Sequence, residues 1–184
     1  MAWCQWLSTV NPQQLVYLDE TGVKTNMTRL YARSKRGQRA IDYVPCGRWS
    51  TTTLVAAVTW DSPIAPMVLA GPMDGVAFEA YIKHVLAPAL PPESIVVMDN
   101  LSSHKSPRIE QLVNDVGSSL RYLPPYSPDF NPIEQMWSKV KNTLRGAKAR
   151  TEQDLYTAVA KALSEVTSND IAGFFCDCVV GIIS

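Results

Sequence analysis

The sequence predicts an α/β domain built on a mixed, five-stranded sheet flanked by helices. Three observations carry that expectation. Two short apolar runs, Leu15–Leu18 and Ile95–Met98, each end at an aspartate and read as buried strands. Three strand patterns come first, followed by helix, strand, helix, strand and helix. A proline-rich block at 124–132 then opens an amphipathic helix.

Taken in order, the first strand covers residues 14–19 and ends at Asp19. A connection of about 30 residues separates it from a Thr- and Val-rich strand over Thr51–Trp60; connections of that length inside compact domains are usually functional. A third strand runs over Pro66–Ala70 and is closed by Gly71-Pro72. Asp74 is placed to N-cap a helix reaching about Leu86, where Pro88 and Pro91-Pro92 stop it. Ser94–Asp99 is a buried strand, Pro107–Val116 a helix closed by Gly117, and Ser119–Leu123 a short strand. The early strands follow one another without a helix, which makes the sheet mixed. Four prolines between 124 and 132 forbid regular structure, and the next helix starts with Asn131 as N-cap, Pro132 at N1 and Glu134 at N3. It ends near Gly146, and helices over 152–166 and 169–179 complete the chain. There is no linker and no repeat, so residues 1–14 are a lead-in and 15–184 one domain.

The 184 residues carry 17 Lys+Arg against 17 Asp+Glu, and neutrality usually argues against a nucleic-acid partner. The sum hides a separation. Residues 24–48 (Lys24, Arg29, Arg33, Lys35, Arg36, Arg39, Arg48) and 139–150 (Lys139, Lys141, Arg145, Lys148, Arg150) hold twelve bases against one acid, Asp42. The remainder holds five bases against sixteen acids. Two basic segments can neutralise phosphates locally whatever the total. Either run is also compatible with an ordinary solvated face. No apolar run approaches the roughly 20 residues of a membrane span, and the first residues lack the basic and apolar regions of a signal peptide. Cys4, Cys46, Cys176 and Cys178 show no zinc-type pairing, so free thiols in a reducing cytoplasm are expected.

In open α/β sheets, ligand sites form outside the carboxyl ends of the strands, which is where Asp19 and Asp99 fall. Either acid alone is compatible with a turn or cap role, and Glu134 alone with a capping box. The helical wheel separates Ile133, Met136, Trp137, Val140 and Leu144, a core stripe, from Glu134, Ser138, Lys141 and Arg145, which lie within about 40° of one another at ~100° per residue. One face thus presents a carboxylate followed by cations. Three carboxylates suit two magnesium ions, which favour carboxylates, waters and substrate phosphates. Two such ions about 3.5–4 Å apart can drive an in-line phosphoryl displacement.

Tyr17-Leu18-Asp19-Glu20-Thr21-Gly22, then Met98-Asp99-Asn100 with His104 beyond, then Leu123-Pro-Pro-Tyr-Ser-Pro-Asp-Phe-Asn-Pro-Ile-Glu134 and Trp137, closely resemble a DDE transposase. The branch it resembles is the bacterial insertion-sequence relatives of the mariner superfamily, with 34 residues between Asp99 and Glu134. The resemblance implies a ribonuclease-H-like fold, with Asp19, Asp99 and Glu134 as catalytic ligands of Mg2+ or Mn2+, as two ions. It also implies cut-and-paste chemistry: hydrolysis at a transposon end, then attack of the freed 3′-hydroxyl on target DNA, typically at TA, within a homodimeric synaptic complex. The setting it implies is the bacterial cytoplasm and nucleoid.

Asn100 and His104 match the family pattern as supporting residues that orient Asp99 or contact DNA; the turn-cap and surface readings stay open. DNA contacts are expected from Arg33, Lys35, Arg36, Arg39, Lys141 and Arg145. Adjacent Ser102, Ser103 and His104 do not form a nucleophile elbow. Helix-turn-helix modules usual in such transposases are expected to be absent, since about 14 residues without Lys or Arg precede the first strand. The alternatives are a non-catalytic DNA-binding module derived from a transposase, and a nuclease of the same fold that cuts without joining.

Overall fold

The computed structural model describes residues 2–46, 49–100 and 105–181. β1 (Leu15–Lys24), β2 (Thr51–Val58), β3 (Pro63–Ala70), β4 (Ile95–Met98) and β5 (Ser119–Tyr122) form one sheet in the order β3-β2-β1-β4-β5. β1–β2 and β2–β3 are antiparallel, whereas β1–β4 and β4–β5 are parallel. Strands joined without a helix pair antiparallel, and each strand entered through a helix is parallel, as crossover geometry requires.

The helices are α1 (Ala2–Leu7), α2 (Gly75–Tyr81), α3 (Pro107–Asn114), α4 (Pro132–Ala147), α5 (Glu152–Ser164) and α6 (Ser168–Phe175). Asp74 caps α2 as its sequence position suggests, its carboxylate accepting from the Ala77 N–H at 2.8 Å. A π-helical turn over Ile82–Leu86 continues α2 up to the proline stop. No helix among the described residues is long and apolar enough to cross a membrane.

Alternation along the strands divides the core in two. Leu15, Tyr17, Leu54, Ala56, Val58 and Val97 point to one face, where α1, α4, α5 and α6 cover them with Trp3, Leu7, Trp137, Val159 and Phe175 among others. Val16, Leu18, Val55, Ala57, Val96 and Met98 point to the other, covered by Phe78, Tyr81 and Ile82 of the α2 segment and Ile109 and Val113 of α3. That is the two-sided burial that makes the central strands continuous apolar runs in sequence.

Three larger differences from expectation concern two strand limits and one helix cap. β1 does not stop at Asp19 but runs on to Lys24, because β2 supplies hydrogen-bond partners from Asp19↔Ala56 to Lys24↔Thr51 after β4 has ended. Thr21 and Val23 are buried while Gly22 and Lys24 are exposed, a period-two pattern masked in the sequence by Thr-Gly. β3 begins at Pro63 rather than Pro66; a register shift between Val55 and Ala57 and a left-handed Ala65 (φ +51°) let the strand pass Pro66.

The third difference is at α4. Asn131 takes the N-cap position, yet its side chain accepts no capping bond and its buried Oδ1 has no partner among the described residues. Thr167, by contrast, accepts from the Asp170 N–H at 3.2 Å while Asp170 accepts from the Thr167 N–H at 2.8 Å. Thr167→Ala is therefore expected to cost about 1 kcal/mol, and Asn131→Ala less than about 0.5 kcal/mol, in urea denaturation. Equal costs would mean that Asn131 caps α4 in solution.

Candidate active site

Strand parity brings the acids together. Leu18 pairs with Met98, so Asp19 and Asp99 are the next residues on neighbouring parallel strands, which lie about 4.8 Å apart. Both share the parity of Tyr17 and Val97, whose side chains face α4. Glu134 sits in the first turn of α4, on its exposed side. Because Asn131 makes no reciprocal cap, the capping-box reading of Glu134 does not hold, and the carboxylate is turned to the cleft.

Asp19, Asp99, Asn100 and Glu134 line one cleft of about 410 Å³. Its remaining wall is the proline-rich segment from Leu123 to Pro128, with Asn131. Burial pushes the Asp19 carboxyl up to about 7 from the usual carboxylate range. The Glu20 backbone N–H donates to it and pulls the other way, and the negative charges of Glu134, Asp99 and Glu20 add to the rise. The cleft is thus an accumulation of negative charge in which one member resists ionisation without a cation.

The donor set is all oxygen, which suits a hard divalent cation. Among the described residues no three His, Cys, Asp or Glu side chains are arranged to hold a single ion by themselves. Magnesium does not need such a cage, since one or two carboxylates with waters and substrate phosphates suffice. The residues therefore fit ions shared between protein and substrate.

A family model described as DDE superfamily endonuclease matches residues 14–156. The chain belongs to that family. Its fold is that of the Mos1 transposase paired-end complex with left transposon end: TM-score 0.74 at 14% identity, covering 97% of this chain and 57% of that one. The Mos1 mariner paired-end complex with Mn gives TM-score 0.73 at 14% identity over 97% of this chain and 58% of that one. The catalytic domain of Mos1 mariner transposase gives 0.70 at 14% identity, covering 98% and 90%. The DDE chain thus spans a little over half the length of the longer Mos1 chains and nearly all of the catalytic domain. A search of curated protein sequences finds no match. The five-stranded mixed sheet flanked by helices is the ribonuclease-H-like architecture that the motifs imply.

The other sequence-derived residues are distributed unevenly. His104 lies outside the described residues, as does Arg48. Arg33, Lys35, Arg36 and Arg39 are exposed on the long β1–β2 connection, and none lines the acidic cleft. On α4, Arg145 is exposed, while Lys141 is half-buried and borders none of the cavities along that helix. Lys139 pairs with Asp170 and Lys148 with Asp42. The Arg150 guanidinium donates to the Thr25 and Met27 carbonyls at 3.2 Å each.

Two residues of interest, one at the cleft and one beyond it, are not singled out by the sequence. Tyr126 lines the cleft, fully exposed, with a left-handed backbone (φ +56°) that a tyrosine seldom adopts. Its setting between Pro-Pro and Ser-Pro was the available signal. Arg29 is the second; as one member of a run of seven bases it had nothing to distinguish it.

Proposed function

We propose that this chain carries the catalytic domain of a cut-and-paste DNA transposase, with Asp19, Asp99 and Glu134 as the catalytic metal ligands. The observation that supports this most directly is the placement of two aspartates at matching positions on adjacent parallel chain segments, lining one cleft with a helix-borne glutamate. Two divalent cations, Mg2+ or Mn2+, bound there would help activate the attacking hydroxyl and stabilise the leaving oxygen of an in-line displacement.

The chain's own contribution is positional. β1 and β4 are buried on both faces and hold the Asp19 and Asp99 carboxylates rigidly, and α4 presents Glu134 from its positive N-terminal end. The proline-rich wall restricts the approach of the scissile phosphate, and Asn100 is placed beside Asp99 to orient it or to meet DNA. In the first step water attacks phosphorus at the transposon end, the P–O3′ bond breaks, and a 3′-hydroxyl and a 5′-phosphate are left. In the second, that 3′-hydroxyl attacks a target phosphodiester and releases the target's own 3′-oxygen. Arg33, Lys35, Arg36, Arg39, Lys141 and Arg145 are the proposed DNA contacts, TA dinucleotides the target, and a homodimer the synaptic assembly. The setting is the bacterial cytoplasm and nucleoid.

The test is incubation of the purified chain with end-labelled duplex DNA in Mg2+ or Mn2+, beside Asp99→Ala. Metal-dependent nicking and joining that vanish in the variant are the expected result. Cleavage without joining would assign the chain to the nuclease reading, and products that persist in Asp99→Ala would overturn the site.

A further inference from the structure

A track of connected cavities leaves the acidic cleft and follows α4. The cleft shares Pro128, Asn131 and Glu134 with the next cavity, which shares Gln135 and Ser138 with a third. That third cavity shares Asn142 and Arg145 with a fourth, walled by Thr28 and Arg29 of the β1–β2 connection. From Glu134 to Arg145 is eleven residues, or about 16 Å along the helix axis. At ~3.4 Å per nucleotide on one strand, that spans roughly five nucleotides.

Charge is distributed along this track in a way the sequence run does not disclose. Of the five bases between 139 and 150, Lys139, Lys148 and Arg150 are engaged by Asp170, Asp42 and backbone carbonyls. Arg145 and Arg29 line the same cavity at the far end, and among the described residues neither makes an ion pair; Asp42, which lines a neighbouring cavity with Arg29, is engaged by Lys148. Arg29 is drawn in close over Gly146, where an added Cβ would stand 3.0 Å from its guanidinium. Two like charges lining one cavity, with no acid among its other lining residues, favour an anion between them. The middle of the track offers Ser138 and Asn142 for hydrogen bonding, beside Lys139, which Asp170 already engages, with Asp129 nearer the cleft.

We propose that this face of α4 is a binding track for the DNA strand flanking the scissile phosphate. Arg29 and Arg145 clamp a phosphate about five nucleotides away, and Ser138 and Asn142 hydrogen-bond the backbone between. The proposal rests on the transposase reading of the acidic cleft and adds to it a register for the substrate. Arg29 and Asn142 thereby acquire a function, while Lys139, Lys148 and Arg150 are assigned to holding the fold.

The test is a salt titration of binding to a fluorescein-labelled 30-base-pair duplex, read by anisotropy, with nicking of the same duplex in Mg2+ read in parallel. Arg29→Ala and Arg145→Ala are each expected to reduce the slope of log K against log salt by about 0.9 and to weaken binding roughly eightfold at 0.1 M. Asn142→Ala should weaken binding with the slope intact, and Lys161→Ala on α5 should change neither. If the arginine variants keep the full slope while Asp99→Ala still abolishes nicking, the track is overturned and the active site stands. If the unaltered protein binds no DNA, the track falls, and the transposase reading falls with it only if nicking is absent too.

Discussion

Asp19→Asn is expected to make the metal-free protein more stable at pH 8 while reducing DNA cleavage about 10³-fold or more. The stability change follows from the raised Asp19 carboxyl, at about 7 in the folded state against 3.8 for a free aspartate. Between those values the folded protein binds the proton that the unfolded chain has released. Stability therefore falls as pH rises from about 4 to about 7, and the deficit is complete above 7. Removing the charge should recover on the order of 2–4 kcal/mol at pH 8 and almost nothing at pH 4. The activity change follows from losing a proposed metal ligand, whose bound cation would supply several kcal/mol of transition-state stabilisation. Magnesium should raise the melting temperature of the unaltered protein at pH 8, do so less at pH 5, and have little effect on Asp19→Asn. Denaturation across pH, with and without magnesium, measures all of this. A variant less stable than the parent at pH 8 would show that Asp19 is a structural partner and not a held-back metal ligand.

Much of this geometry was legible because buried parallel strands announce themselves as uninterrupted apolar runs. Leu15–Leu18 and Ile95–Met98 located both aspartates, and parity along those runs set the face each acid shares. What was not legible depended on contacts remote in sequence. β1 extends past Gly22 because β2 offers it a ladder, and nothing within 19–24 signals that partner. Asn131-Pro132-Ile133-Glu134 has the composition of a capped helix start, yet the asparagine makes no cap and the glutamate is left to the cleft. The bases at 139–150 look equivalent in sequence. Their division into fold-holding Lys139, Lys148 and Arg150 and groove-lining Arg145 rests on Asp170, Asp42 and the Thr25 and Met27 carbonyls, up to 125 residues away. A charge run therefore locates a basic segment without telling which charges remain available to a ligand.

α4 has to satisfy two faces at once, and Trp137 shows how closely they are coupled. It is three residues beyond Glu134 and 1% exposed, in the core stripe of Ile133, Met136 and Val140. Trp137→Ala is expected to cost about 3–5 kcal/mol, a large fraction of the stability of a domain this size. The indole Nε1 has no hydrogen-bond partner among the described residues, so the ring's contribution is packing and not polar contact. Trp137→Phe should accordingly cost much less than Trp137→Ala, because it keeps most of the aromatic volume and removes an unpaired buried N–H. Urea denaturation of the three proteins measures the difference. Below its own unfolding transition Trp137→Ala should also cleave DNA more slowly, because the first turn of α4 that carries Glu134 loses its anchor while the aspartates keep theirs. A Trp137→Ala protein within about 1 kcal/mol of the parent would mean that Glu134 is positioned from the proline-rich wall alone.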